Sequence, residues 1–362
     1  MKRPYYIFSI GRIRRQQNTL FFEKAADAEP REPVQVEPDD DVLVDNADFE
    51  AERDERKRVQ KRVIPIEGIE SLYCFGEITL NSKLLNFLAQ QRIPAHFYNY
   101  YGFYNGSFVP RDYLLSGEVL VKQVQFYTDA DKRLSLAKEM VLGGADNMLK
   151  NLHYYQNRGR DLKEPIGIMQ KEQRNIQNAR SINELMTAEG RLRGAYFSAW
   201  DTIIDAEFKF EQRSRRPPKN AVNALISFGN SMLYTAVLGE VYHTQLNPTI
   251  SYLHEPGARR YSLCLDLAEV FKPALVDRMI FSLLNQGQIK KSHFDEKLNF
   301  CYLNQAGRKI VVQTWDERLK TTIKHRRLNR NVSYRRLLRL EAYKLIKHIT
   351  ADKVYKAFRM WW

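Results

Sequence analysis

Residues 252–273 read YLHEPGARRYSLCLDLAEVFKP. His254 stands just before Glu255-Pro256-Gly257, a tight turn in which proline presets φ and glycine is free to take positive φ. A helix then begins, and Asp266 and Glu269, three apart, share one of its faces. Leu263, Cys264, Leu265, Leu267, Ala268 and Val270 surround them, and carboxylates drawn into apolar surroundings need partners. Two kinds of partner satisfy these residues. One is a counter-charge from Arg259, Arg260 or Arg278, which gives a buried ion pair. The other is a divalent metal, with His254 supplying a nitrogen nearby. The same helix is expected to run on over 274–284 past a kink at Pro273.

Working back from this stretch, residues 223–238, NALISFGNSMLYTAVL, are apolar all round and predict a buried helix. A basic aromatic loop, FKFEQRSRRPPK at 208–219, delivers the chain to it. Ser181 and Glu184 form a capping-box pattern and open another helix. Its stripe is Leu185, Glu189, Leu192, Tyr196, Ala199 and Ile203, so Glu189 is the one charge on an otherwise apolar or aromatic face. Gly190 and Gly194 lie beside it and leave room for another backbone or a ligand. Helical spacing also marks 117–127, 129–148 and 148–156.

Working forward, 309–324 predicts a helix, and 325–349 is strongly basic: HRRLNRNVSYRRLLRLEAYKLIKHI. Ser333 is a cap for a helix that turns Leu337, Leu338, Ala342, Leu345 and Ile346 inward. Arg335, Arg336, Arg339 and Lys344 remain for phosphates or solvent. Arg326, Arg327 and Arg330 in the preceding loop favour phosphate contact.

The first part of the chain is different in kind. Residues 5–11, 19–22, 62–66 and 71–75 are rich in β-branched and aromatic side chains and predict strands. Residues 81–91 predict a short helix. Residues 95–110 predict a hairpin with Asn105-Gly106 as its turn. Between the early strands, about 25–60 is acidic, proline-bearing and nearly free of aromatics, and reads as a flexible insertion. The expected fold is therefore α+β: a small β-rich N-terminal domain, 1–112, followed by a larger all-α domain, 113–362.

Composition narrows the function. The 362 residues are 44% hydrophobic and carry a formal net charge of +14. Residues 25–55 hold thirteen acidic and two basic side chains, a local charge of −11, so the remainder carries +25. Such a surplus suits a polyanion, and nucleic acid is the usual one. No apolar run approaches the 18 or so residues of a membrane span. The apolar stretch near residue 7 is too short, and too soon ended by arginines, for a signal peptide. Cys74, Cys264 and Cys301 form neither a zinc pattern nor a disulfide framework, which fits a reducing, cytoplasmic setting. No Walker-type phosphate loop is present. The candidate ligands are Glu189, His254 and Glu269, with Asp266 beside them. Carboxylates with one imidazole favour magnesium or manganese, and such an ion beside nucleic acid implies phosphodiester chemistry.

At these residues the chain resembles the CRISPR-associated integrase and endonuclease family, Cas1. The motifs that carry the likeness are TAEGRLRGAYFSAW, RRPPKNAVNALISFGNSMLY, YLHEPGARRYSLCLDLAEVFKP and TTIKHRRLNRNVSYRRLLRLEAYKLIKHI, and they look most like the branch associated with type I-B systems. The resemblance implies a β-rich dimerisation domain, hence a homodimer, and a helical catalytic domain. It implies that Glu189, His254 and Glu269 are metal ligands for Mg2+ or Mn2+, and that Asp266 is a further acidic residue close to the metal. Arg259, Arg260, Arg326, Arg327 and Arg330 are expected DNA contacts. The implied activity joins short duplex DNA fragments into the CRISPR array and also cuts branched DNA, in a larger complex with a Cas2 dimer. The rival readings are a branched-DNA repair nuclease and a non-catalytic nucleic-acid-binding scaffold.

Overall fold

In the computed structural model, residues 2–24, 61–204, 207–214, 217–257, 261–297, 300–326, 328–351 and 353–361 are described. The acidic stretch at 25–60, and Arg259, Arg260 and Arg327, lie outside the described residues. The chain divides into two units, Met1–Arg111 and Asp112–Trp362.

The first unit holds two four-stranded sheets. One is built from β1 (Arg3–Ile7), β5 (Ile69–Cys74), β7 (Ala95–Tyr98) and β8 (Tyr104–Phe108), in that spatial order. The other has the order β4 (Lys61–Pro65), β3 (Thr19–Lys24), β2 (Gly11–Gln16), β6 (Ile78–Thr79). β5 has parallel neighbours on both sides, and its near-continuous burial fits that central position. β3 alternates instead, turning Leu20 and Phe22 inward. Helix α1 (Ser82–Gln90) is capped by Asn81, whose Oδ1 accepts from the Leu84 amide at 3.0 Å, and it buries Leu84, Phe87 and Leu88.

Two strand expectations need correction. β2 was not expected, because its three arginines hide the single inward apolar residue, Ile13. The hairpin reverses at 99–103, not at Asn105-Gly106. Asn99 Oδ1 accepts from the Tyr101 and Phe103 amides at 3.1 and 2.9 Å, and Gly102 takes φ 82°. A side chain that closes the loop and a glycine in the left-handed region outweigh the Asn-Gly signal, and Gly106 instead pairs with Phe97 inside β8.

The second unit is mainly helical. In order come α2 (Gly117–Thr128), α3 (Ala130–Gln156), α4 (Lys163–Asn178), α5 (Ile182–Ser198), α6 (Trp200–Ile203), α7 (Ala221–Tyr242), α8 (Ser262–Lys272) and α9 (Arg278–Asn285). Two short hairpins then alternate with two helices: β9 (Phe294–Lys297) with β10 (Phe300–Leu303), α10 (Gln305–Lys320), β11 (Thr322–His325) with β12 (Arg330–Ser333), and α11 (Tyr334–Ala351). The hairpins lie where no strand was expected, the second of them across the end of the expected 309–324 helix and the basic loop after it; four-residue strands carry too little periodicity to announce themselves. α3 is one unbroken helix where a division at Met148 was expected.

α7 is long and apolar enough to cross a membrane by length and composition, which the reading of apolar runs had not registered. Yet 72% of its 18-residue apolar window is buried inside the protein, as suits a core helix. Across Pro273 the expected continuation is present. α8 passes through a π-helical turn, Pro273–Asp277, directly into α9. Proline has no amide to donate back to the Glu269 carbonyl, so the ladder widens there. Two buried asparagines one turn apart on α3 supply donors at this region. Asn147 Nδ2 donates to the Val270 carbonyl at 2.9 Å and Asn151 Nδ2 to the Pro273 carbonyl at 2.9 Å. Gly144 permits the approach: a Cβ there would lie 3.2 Å from the Glu269 carbonyl oxygen.

Residues 353–361 pack as a strap on α3 and α8. Arg359 pairs with Glu139 and Asp146, and Phe358 stacks on Phe271. Asn147 also donates to the Phe358 carbonyl and accepts from the Met360 amide at 2.7 Å.

Candidate active site

The capping expectation for α5 holds in part. Ser181 Oγ accepts from the Glu184 amide at 3.2 Å, while Glu184 accepts from the amide of Arg180. With its start fixed, α5 buries Leu185, Leu192 and Tyr196 and leaves Glu189 at the edge of that face, its side chain 19% exposed. One turn on, Arg193 donates through Nε to Glu189 and through Nη2 to Glu269 on α8. Lys272, one turn beyond Glu269, donates to the other Glu269 oxygen. The two carboxylates that the sequence singles out thus meet around one guanidinium.

The electrostatics follow from this packing. Burial works to raise the Glu269 carboxyl, but Arg193 and Lys272 outweigh it and hold the group far below the ordinary carboxylate range. The smallest contribution comes from His254, whose ring when protonated lies within electrostatic reach of Glu269. Burial works to lower Arg193, and its two carboxylates more than offset that, leaving it more firmly protonated than a free arginine.

Asp266 does different work. It is fully buried, and its oxygens accept from the amides of Tyr252, Leu253 and His254 at 2.7, 2.9 and 3.1 Å and from His254 Nδ1 at 2.7 Å. A carboxylate only accepts, so Nδ1 carries a proton, and the other ring nitrogen, Nε2, is left for a further partner. Among the described residues Nε2 makes no hydrogen bond. Arg133 ties the same turn to α3, donating to the Tyr252 carbonyl at 3.0 Å and to Glu255 at 2.6 Å.

Of the expected counter-charges, Arg259 and Arg260 lie outside the described residues, and Arg278 is corrected here. Arg278 lies against Tyr154 and Met360. The partners of Glu269 are Arg193 and Lys272, at the i+4 position from Glu189 and the i+3 position from Glu269, and that spacing is the signal that could have found them. Sequence reasoning also missed Asp277, which accepts from the Tyr196 hydroxyl at 3.0 Å beneath the centre. Burial pushes its carboxyl up to about 7, with the Tyr196 hydrogen bond pulling the other way.

The site opens on one side. Among the described residues, a Cβ placed on Gly190 or Gly194 would meet no atom of another element within 4 Å, so the outer face of α5 beside Glu189 and Arg193 is clear of them. Among the described residues no three of His, Cys, Asp and Glu form a group that could hold a metal ion as the side chains now stand. The donor chemistry nonetheless fits one: two carboxylates already gather around a cation, and His254 has an unused nitrogen.

The basic segment is only partly free. Arg326, in the β11–β12 turn, and Arg330, at the start of β12, are exposed, with Arg326 also resting on Trp361. Arg339 pairs with buried Glu240 at 2.6 Å, and Lys344 pairs with Glu341 at 2.5 Å; both contribute to protein contacts. The five apolar residues expected to face inward on α11 are buried.

A β-rich unit joined to a helical unit with this acidic centre places the chain among the CRISPR-associated proteins. The family described as CRISPR associated protein Cas1 matches residues 5–317, and the chain belongs to the Cas1 family. It is 48% identical to CRISPR-associated endonuclease Cas1 3 of Thermodesulfovibrio yellowstonii, over 99% of this chain and all of that one. A solved CAS1 protein from Thermotoga maritima is 36% identical, covers 99% of this chain and 100% of its own, and superposes with a TM-score of 0.80. A casposase bound to its integration product shares the fold, with a TM-score of 0.81 at 17% identity over 99% of this chain and 93% of that one.

Proposed function

We propose that the chain is a spacer-acquisition integrase, a DNA endonuclease and transesterase that joins short duplex fragments into a CRISPR array. The observation that carries this reading is the meeting of Glu189 and Glu269 around one cation, with His254 hydrogen-bonded to Asp266 on the same helix as Glu269. Support comes from relatives named endonucleases and from a casposase of the same fold bound to an integration product.

In this reading Glu189, His254 and Glu269 hold magnesium or manganese. When bound, that ion neutralises charge on the reacting phosphate and activates the attacking hydroxyl or water. The protein's own residues set the stage. Asp266 fixes the His254 ring through Nδ1 and so leaves Nε2 as the nitrogen that would meet the ion. Lys272 places a fixed positive charge beside Glu269. The clear face at Gly190 and Gly194 admits a sugar-phosphate backbone to the carboxylates. Arg326 and Arg330 offer cations to more distant phosphates. The 3′-hydroxyl of a fragment attacks an array phosphodiester, the new ester bond forms as the old one breaks, and the displaced 3′-oxygen leaves with a proton. Hydrolysis of branched DNA is the same displacement with water as nucleophile.

The assembly that goes with this reading is a homodimer through the β-rich unit, two such dimers flanking a Cas2 dimer. The test combines purified protein, Cas2, a labelled short duplex and an array plasmid, with manganese or with chelator. Joined product that depends on the ion is expected. DNA binding of equal strength with chelator, and no cut or joined strand in either condition, is the behaviour of a scaffold and would discard the enzymatic reading.

A further inference from the structure

Arg193 is the residue both proposed ligands already share. Two carboxylates and two cations cancel, so these four side chains form a charge-balanced cluster by themselves. Both oxygens of Glu269 are engaged, one by Arg193 and one by Lys272. A divalent ion entering between Glu189 and Glu269 needs the oxygens that the guanidinium holds. It also brings two more positive charges into a part-buried space, where repulsion between like charges is only weakly screened. Counting Asp266 as well, the centre moves from a net charge of −1 to +1 on loading while Arg193 stays, and to 0 once the guanidinium has swung out, carrying its own charge toward the strand. In either count loading makes the centre less repellent to a phosphodiester.

Arg193 also has somewhere to go. Its side chain is 17% exposed, and Gly194 beside it leaves the outer face of the helix clear. A planar guanidinium matches two phosphate oxygens at once as well as it matches a carboxylate.

Building on the metal-centre reading above, we propose that Arg193 closes the centre in the free protein, is displaced by the incoming ion, and is delivered to the phosphate of the DNA strand that the loaded centre attracts. One side chain therefore competes with the ion and cooperates with the strand. By linkage, DNA that takes Arg193 away strengthens ion binding, and the ion strengthens DNA binding to the same degree.

The test follows Mn2+ binding to the full-length chain by loss of the free-ion paramagnetic resonance signal, with and without a short duplex. Wild type is compared with Arg193→Gln, Arg193→Lys and Glu269→Gln, each first checked for native helicity and cooperative melting. Without DNA, Arg193→Gln is expected to bind Mn2+ about tenfold more tightly than wild type, with Arg193→Lys between them. The duplex should then add little to the Mn2+ affinity of Arg193→Gln, whereas it tightens that of wild type. Strand joining by Arg193→Gln should fall by about a hundredfold despite the better-bound ion. A residue with a merely structural role would weaken both. Unchanged or weaker Mn2+ binding in both folded Arg193 variants, with binding still lost in Glu269→Gln, overturns this inference and leaves the metal centre standing. Failure of wild type itself to bind Mn2+ removes the centre and the inference together.

Discussion

The ring nitrogen Nδ1 of His254 lies 2.7 Å from Asp266, and the same carboxylate collects three consecutive backbone amides, those of Tyr252, Leu253 and His254. Asp266 is thus the support of a loop and the orienter of an imidazole at once. Asp266→Asn keeps the shape but presents an amide that donates as well as accepts. We expect joining and Mn2+ affinity to fall by about 10- to 100-fold, with melting lowered modestly. Asp266→Ala leaves buried amides unpaired and should cost several kcal/mol of stability, about 1–3 kcal/mol for each group left unsatisfied. Equal activity of Asp266→Asn and wild type at low Mn2+ would mean that the His254 orientation does not matter.

Glu189→Gln, His254→Ala and Glu269→Gln should each lower joining and cutting by at least about two orders of magnitude while duplex affinity in chelator changes little. Binding titrations and strand assays on the same preparations check this. Full turnover by any one folded variant at ordinary Mn2+ would take that residue out of the ligand set.

Asp277 gives a pH prediction with a definite sign. Burial raises its carboxyl to about 7 from an ordinary value of 3.8. Between those values the folded protein holds a proton that the unfolded chain has released. The stability Asp277 contributes is therefore fully present below about pH 4 and lost as pH rises through 7. Asp277→Asn keeps an acceptor for the Tyr196 hydroxyl and carries no charge. Its melting temperature relative to wild type should rise between pH 5 and pH 8, corresponding to a few kcal/mol at the upper end. A difference that does not vary with pH would mean Asp277 is charged throughout.

The exposed pair in the second hairpin bears on DNA affinity. Replacing Arg326 and Arg330 together by alanine should weaken binding alike for unrelated duplexes. It should also flatten log affinity against log salt by roughly two units, about 0.9 for each lost phosphate contact. An unchanged slope would assign both side chains to solvent or, for Arg326, to Trp361 alone.

The centre was legible in the sequence because each of its acids breaks a pattern: Glu189 on an apolar stripe, Asp266 and Glu269 inside an apolar run. Its arginine was not, because Arg193 looks like an ordinary charge at the edge of a helix until α8 is brought beside α5. The division between β-rich and helical parts was likewise visible in side-chain type and period. The hairpins at 294–303 and 322–333 were not. Each strand is four residues long, and their registers depend on pairing across the turn more than on any local alternation. Asn147 and Asn151 gave no signal either. Their role appears only where the proline at 273 and the widened turn bring carbonyls against α3.

Asn147 grips two parts of the chain that are made far apart in time. Its amide nitrogen reaches Val270, next to Glu269, and also Phe358, while its oxygen takes the Met360 amide. A growing polypeptide that already contains every acidic residue of the centre still lacks the segment that completes this grip. The part of this brace that Phe358 and Met360 supply forms only after residues 358–360 have been made, whereas the Asn147–Val270 and Asn151–Pro273 bonds need no residue beyond 273. Fusions or proteolytic nicks near 358–360 should then act as lesions of the acidic centre itself, although they fall nearly ninety residues away from it in sequence.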